Sequence, residues 1–187
     1  MLSILDDIIK NNALTEDAIA YVKDNLVVKN VVKGKILQRK GDVLSKGYFV
    51  KKGCLRSYTI DEKGKEHIFM FAPEGWIIGD VLAIASLENG CQLFIDAIED
   101  SEIEVFDNAF FSKINAKNTF GIEKLLKRVA VLQKRIIMLM SATAWERYQD
   151  FIETYPNIVQ RVPQKMIASY LGITPEALSK IRGEKKA

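Results

Sequence analysis

The sequence predicts an α+β protein: a β-rich body, then one long helix, then a terminal pair of short helices. Three observations carry that prediction. Eight of the eleven glycines fall between residues 34 and 90, and the segments between them alternate apolar and polar residues as short strands do. After Phe106 the apolar period lengthens from two to about three and a half, the mark of a helix. The last stretch, VPQKMIASYLGITPEALSKIRG, holds two helical patterns joined at Gly172. Many short strands closed by turns fit a sandwich, a jelly roll or a small barrel.

The chain of 187 residues, 48% hydrophobic, has enough apolar side chains for one or two cores, which excludes disordered and collagen-like classes. No apolar run reaches the roughly 18 residues of a membrane span, and MLSILDDII carries acids where a signal peptide needs bases. A cytoplasmic protein with no membrane partner is therefore expected. Cys54 and Cys91 have no metal or redox spacing and read as small buried hydrophobes.

In chain order, residues 2–24 are expected to be helical, with Leu2, Leu5, Ile8 and Ile9 on one face. Strands are expected over Lys35–Arg39, Tyr48–Lys52, Cys54–Ile60, Glu66–Phe71, Gln92–Ile98 and Glu102–Phe106. The clearest hairpin is CLRSYTI-DEKGK-EHIFMF, where a glycine-containing turn joins two alternating runs. Trp76, Trp145 and the Phe-rich strands read as core, and His67 as a surface or hydrogen-bonded side chain.

Ile122, Leu125, Val129, Leu132, Ile136 and Leu139 follow steps of three and four, forming one stripe of a long helix. Leu126, Ile137, Met138 and Met140 widen it, so one face suits the chain's own core and the other a second copy. A purely intramolecular core helix is the alternative. Thr143 and Glu146 form a T-x-x-E capping box after a break near Ser141, and the helix it opens ends before Pro156.

Residues 161–187 hold six Lys/Arg against Glu176 and Glu184, leaving 21 basic and 22 acidic residues in 1–160. The positive charge thus sits in the tail, where a polyanion partner fits it. There Ala168 is small where two helices meet, Gly172 permits a left-handed turn, and Ile167, Leu171, Leu178 and Ile181 anchor the second helix to the first. Thr174 is the expected N-cap, Pro175 suits the first helical position, and Gly183 is the expected C-cap. This is helix-turn-helix spacing, and a capped helical hairpin that merely ends a domain imitates it.

Read as a DNA-binding head, the tail assigns each polar residue a contact. Thr174 and the helix N-terminus would meet a phosphate, and Gln164 another. Glu176 can accept from a cytosine amino group, Lys180 can donate to guanine, and Ser179 can do either. Lys165 and Arg182 would add phosphate attraction.

The order of these parts resembles that of Crp/Fnr family transcriptional regulators. The resemblance runs from about Leu26 to Arg182. It rests on VVKGKILQRKGD, on YFVKKGCLRSYTIDEKGKEHIFMFAPEGWIIGD, on the helix from about 119 to 141, and on QKMIASYLGITPEALSKI. It implies a cyclic-nucleotide-binding-domain-like jelly roll with an N-terminal helix over residues 1–118, a dimerisation helix over 119–141, and a helix-turn-helix domain over 142–187. With the sequence stopping at Ala187, that last domain is expected to lack a full wing. The implied function is that of a homodimeric regulator which presents two recognition helices to palindromic double-stranded DNA and contacts RNA polymerase. Glu176 and Lys180 fall at base-reading positions, while Pro175 stands where other members often carry an arginine.

Members that bind cyclic AMP pair a Gly-Glu with an Arg-Ser/Thr-Ala segment. Here those positions read Gly79-Asp80 and Cys91-Gln92-Leu93, and residues 66–112 contain ten acids and no Lys or Arg. A buried phosphate without a cation is costly, so no cyclic nucleotide is expected, unless Arg56 or a lysine of the long helix reaches in. Two cysteines are too few for an iron-sulfur cluster, and one histidine is too few for a cupin-type metal enzyme. Neither G-x-S-x-G nor a phosphate loop occurs, so no enzyme, cofactor or metal is expected. The alternative is a ligand-binding or scaffold module of the same β class that never touches DNA.

Overall fold

The structure, a computed structural model, describes residues 3, 4, 6, 16–84, 90–106 and 120–184. Leu2, Leu5, Ile8 and Ile9 lie outside them. The chain forms two compact units: Met1–Thr59 with Phe69–Glu123, and Ile60–Ile68 with Lys124–Ala187.

The first unit includes helix α1 (Glu16–Asn25) and contains most of the strands. They are β1 (Val27–Val31), β2 (Ile36–Gln38), β3 (Gly47–Lys52), β4 (Leu55–Ile60), β5 (Glu66–Ala72), β6 (Ile77–Ile78), β7 (Phe94–Ala97) and β8 (Ser101–Phe106), with a one-turn helix α2 (Val81–Ile84) after β6. One four-stranded sheet has the order β1-β8-β3-β6, the other β2-β7-β4-β5. The core takes Val31, Val50, Ile78, Ile103 and Val105 from the first sheet and Leu55, Ala72, Ile95 and Ala97 from the second, so two sheets pack face to face. This is the expected sandwich class.

Strand boundaries differ from expectation in instructive places. β1 carries VVKNV but buries only Val31, and β6 has two residues, so neither shows a period. β7 starts at Phe94 rather than Gln92, because the N–H groups of Gln92 and Leu93 donate to the Asp80 carboxylate instead of a neighbouring strand. The β4–β5 hairpin turns as expected: Asp61 N–H donates to Lys65 O at 3.0 Å, and Gly64 adopts φ 76°, open to glycine at little cost. Phe49 and Phe71 are buried; Trp76 is half-buried and packs against the core as read, and Trp145 is half-buried. An indole is large enough to leave one edge in solvent while its body covers a core.

Tyr48 is buried between the sheets, where its hydroxyl donates to Leu37 O at 3.1 Å. Burial, with the Cys91 thiol and the Asp42 carboxylate nearby, pushes its pKa up from 10.0 to about 12. Above pH 10 an unfolded tyrosine loses its proton while the folded one keeps it, so stability must fall as pH rises from about 10 to 12. Two pKa units correspond to about 2.7 kcal/mol. Tyr48→Phe should flatten that alkaline limb of a denaturation profile, and an unchanged limb would refute the assignment to Tyr48.

The second unit contains helices α3 (Phe120–Ser141, from Lys124 onward), α4 (Ala144–Thr154), α5 (Gln164–Leu171) and α6 (Pro175–Glu184), together with the tip of the β4–β5 hairpin. The capping box opens α4 as expected: Glu146 N–H donates to Thr143 Oγ1, and Thr143 N–H to the Glu146 carboxylate at 2.7 Å. Phe151, Tyr155 and Tyr170 meet edge to face or tilted at 5.3–5.7 Å between centroids, and Ile158, Ile167, Leu171 and Leu178 are buried with them. Gly183 is not a C-cap. It continues the helix to Glu184 without a positive φ, with open space where a side chain would be, so no crowding forces the left-handed turn there.

Candidate nucleic-acid interface and effector loop

The turn between α5 and α6 is built by three local devices. Gly172 adopts φ 69° and its N–H donates back to Ala168 O and Ser169 O, closing α5 with a left-handed residue. The Arg147 guanidinium caps the same end, Nη1 donating to Leu171 O at 2.7 Å. Thr174 Oγ1 then accepts from Ala177 N–H at 3.2 Å, which starts α6. Ile167, Ala168, Leu171 and Leu178 are buried as the pattern required, and Ile181 is half-buried.

With one side anchored, α6 presents Thr174, Glu176, Ser179 and Lys180 to solvent, and α5 presents Gln164 and Lys165. The Glu176 carboxyl is held below its ordinary pKa by its own backbone N–H and the Thr174 hydroxyl, so it stays anionic at the helix start. Arg182 is different. It is half-buried, with its guanidinium 5.9 Å from the Tyr148 ring centroid, so packing α6 against α4 is part of its role.

Three polar residues that pattern reading missed brace this unit. Ser169 Oγ donates to Glu66 O at 2.8 Å and accepts from Ile68 N–H at 3.0 Å, tying α5 to the hairpin tip. Arg135 Nη2 donates to Ile68 O at 3.0 Å and Tyr170 O at 3.3 Å, and the guanidinium lies 4.1 Å from the Tyr170 ring centroid. Arg147 is the third. The hairpin tip also carries His67, exposed, with Nε2 2.8 Å from Asp61 Oδ2; this contact is the largest cause holding the Asp61 carboxyl below its usual pKa.

On α3, Val129, Ile136 and Leu139 are exposed (50%, 58% and 42%) and Leu132 is half-buried. The side chains of Ile122 and Leu125 lie outside the described residues. Val131, Ile137 and Met140 are exposed as well, so this helix carries more open apolar surface than a lone soluble protein usually tolerates.

At the positions that correspond to the cyclic-AMP-binding segments, Gly79 and Asp80 are buried, and so is Cys91. Both cysteines are free thiols, and burial pushes the Cys91 thiol up. Asp80 Oδ2 accepts from Gln92 N–H at 2.6 Å and Leu93 N–H at 2.9 Å, which joins the Gly79-Asp80 and Cys91-Gln92-Leu93 segments at one carboxylate. Arg56 does not reach this loop as a free cation. Its Nε and Nη2 make a bidentate pair with Asp96 at 2.8 and 2.9 Å, both residues buried, on the face opposite Leu55 and Ile95. A separate cavity of about 450 Å³ is lined by Lys29, Leu37, Asp42, Tyr48, Ile103 and Val105 among others, and by none of Gly79, Asp80, Cys91 and Gln92. Among the described residues, no cluster of His, Cys, Asp or Glu is arranged to hold a metal, and no helix is long and apolar enough to cross a membrane.

Residues 28–118 match the cyclic nucleotide-binding domain family. The chain is 29% identical over 180 residues to the fumarate and nitrate reduction regulatory protein of Yersinia pestis, covering 86% of this chain and 70% of that one. The protein of the same name from Escherichia coli is 27% identical over 182 residues, with the same coverage. Among solved structures, FixK2 from Bradyrhizobium japonicum superposes with a TM-score of 0.69 at 20% identity, covering 85% of this chain and 83% of that one.

Proposed function

We propose, from the premise that this chain belongs to the Crp/Fnr family of transcriptional regulators, that it acts as a dimer which reads a palindromic DNA site through α6. One observation carries this reading: α6 buries Leu178 while holding Glu176, Ser179 and Lys180 on its solvent face, within a segment that holds six Lys/Arg against two Glu. Thr174 and Gln164 position the head on phosphates, Lys165 and Arg182 add charge, and Glu176, Ser179 and Lys180 meet base edges. The exposed stripe of α3 supplies the second copy, and the pair must set its two α6 helices about 34 Å apart, one DNA turn.

Selection from a random duplex pool, with no nucleotide added, tests the reading. The expected outcome is a palindrome with half-sites about one helical turn apart. A pool that never enriches would favour the module that does not bind DNA. Within the selected site, Lys180→Ala should relax the preference at one base pair and cost roughly 1 to 3 kcal/mol on the specific site. Equal weakening on every sequence would make Lys180 a phosphate contact instead.

A further inference from the structure

We infer that the loop Gly90–Leu93 is an oxyanion cradle whose ligand is the chain's own Asp80 carboxylate. Three consecutive N–H groups of this loop are occupied. Cys91 N–H donates to Asp42 O at 2.8 Å, while those of Gln92 and Leu93 converge on Asp80 Oδ2. Asp80 reaches them from twelve and thirteen residues away and is 1% exposed, so this is a long-range anion contact inside the protein. Its other oxygen meets Ala83 N–H at 3.5 Å.

Two adjacent backbone N–H groups aimed at one point form a concavity that suits a carboxylate or phosphate oxygen. Here that point is filled from within. An anionic ligand entering beside a buried carboxylate would meet like-charge repulsion in a medium that screens poorly. Little in the loop's own stretch offsets it: residues 66–112 contain no Lys or Arg, and Arg56 is paired with Asp96. The loop is also fixed from below, since Gly41 N–H donates to Cys91 O at 2.8 Å. The N–H groups of this loop are therefore occupied with no diffusible anion, and the regulator is competent without one; this last consequence rests on the DNA-binding reading above, whereas the cradle does not.

Chemical rescue separates the two. Asp80→Gly removes the internal carboxylate and leaves the N–H groups bare, so its thermal midpoint should drop by several degrees. Millimolar formate or acetate, compared with matched chloride, should raise that midpoint and leave the wild type unmoved. Asp80→Asn retains the size and one acceptor oxygen for the two donors but loses the charge and sets its NH2 toward the Ala83 N–H, so it should melt below wild type and, with the cradle filled, ignore formate. If Asp80→Gly does not fold, refolding it with and without formate gives the same reading by yield. An Asp80→Gly midpoint equal to wild type, or formate acting no better than chloride, overturns the cradle. So does a wild-type midpoint raised by cyclic AMP, since that ligand would have displaced Asp80. These melting experiments involve no DNA, so a protein that rescues but selects no operator would sink only the DNA-binding reading.

Discussion

Ile136→Glu is expected to reduce the sedimenting species to a single chain and to weaken binding to the selected operator by about a hundredfold or more, because each half-site then binds alone. Ile136 lies at the centre of the stripe Val129, Leu132, Ile136, Leu139 and is 58% exposed. In the proposed dimer its counterpart would face it across a two-fold axis, so the substitution would place two carboxylates in a seam that otherwise buries aliphatic surface worth about 1.5 to 3 kcal/mol per side chain. The control is Val131→Glu. Val131 is equally exposed at 58%, but it stands outside the three-and-four spacing, so the dimer should survive. If both variants stay dimeric, the stripe is not the seam. If both dissociate, total apolar exposure and not the heptad register decides association.

The parts legible in the sequence were those whose cause is local. The turn of the β4–β5 hairpin needs Asp61 and Gly64 four residues apart or less, and the start of α4 needs Thr143 and Glu146 at one fixed spacing. The helix-turn-helix was readable because Ala168, Gly172, Thr174 and Leu178 each have a steric or capping reason to be where they are. What escaped was set by partners far along the chain. β7 is short at its start because Asp80 takes the N–H groups that a longer strand would use, and no local pattern announces that. Ser169 reads as one more polar residue of a short helix, yet its hydroxyl satisfies both Glu66 O and Ile68 N–H a hundred residues earlier. Arg135 sits among the apolar residues of α3 and looks like an interruption, until its carbonyl partners and the Tyr170 ring are in place. Gly183 misled for the opposite reason: glycine is permitted at a C-cap but does not compel one.

Asp96→Ala is expected to cost about 3 to 5 kcal/mol, because removing one member of a buried ion pair leaves the other charge buried and uncompensated. The pair is bidentate, Arg56 Nε to Oδ1 and Nη2 to Oδ2, across the register of β4 and β7. Arg56 is further enclosed by the Tyr58 ring, 4.2 Å from its guanidinium carbon, and Tyr58 stacks on Phe94 at 5.3 Å. Asp96→Asn preserves shape and one acceptor but not the charge, so it should recover only part of the loss in a denaturant titration. A cost below about 0.5 kcal/mol for Asp96→Ala would place this residue among neutral surface changes and dismiss the pair as a structural element. The magnitude also bears on what the β domain can sense. Arg56 is a buried cation of the strands, and recruiting it to a phosphate would leave Asp96 alone in a buried site. The energy that holds β4 to β7 therefore opposes binding a cyclic phosphate here, by the same electrostatics with which Asp80 occupies the loop.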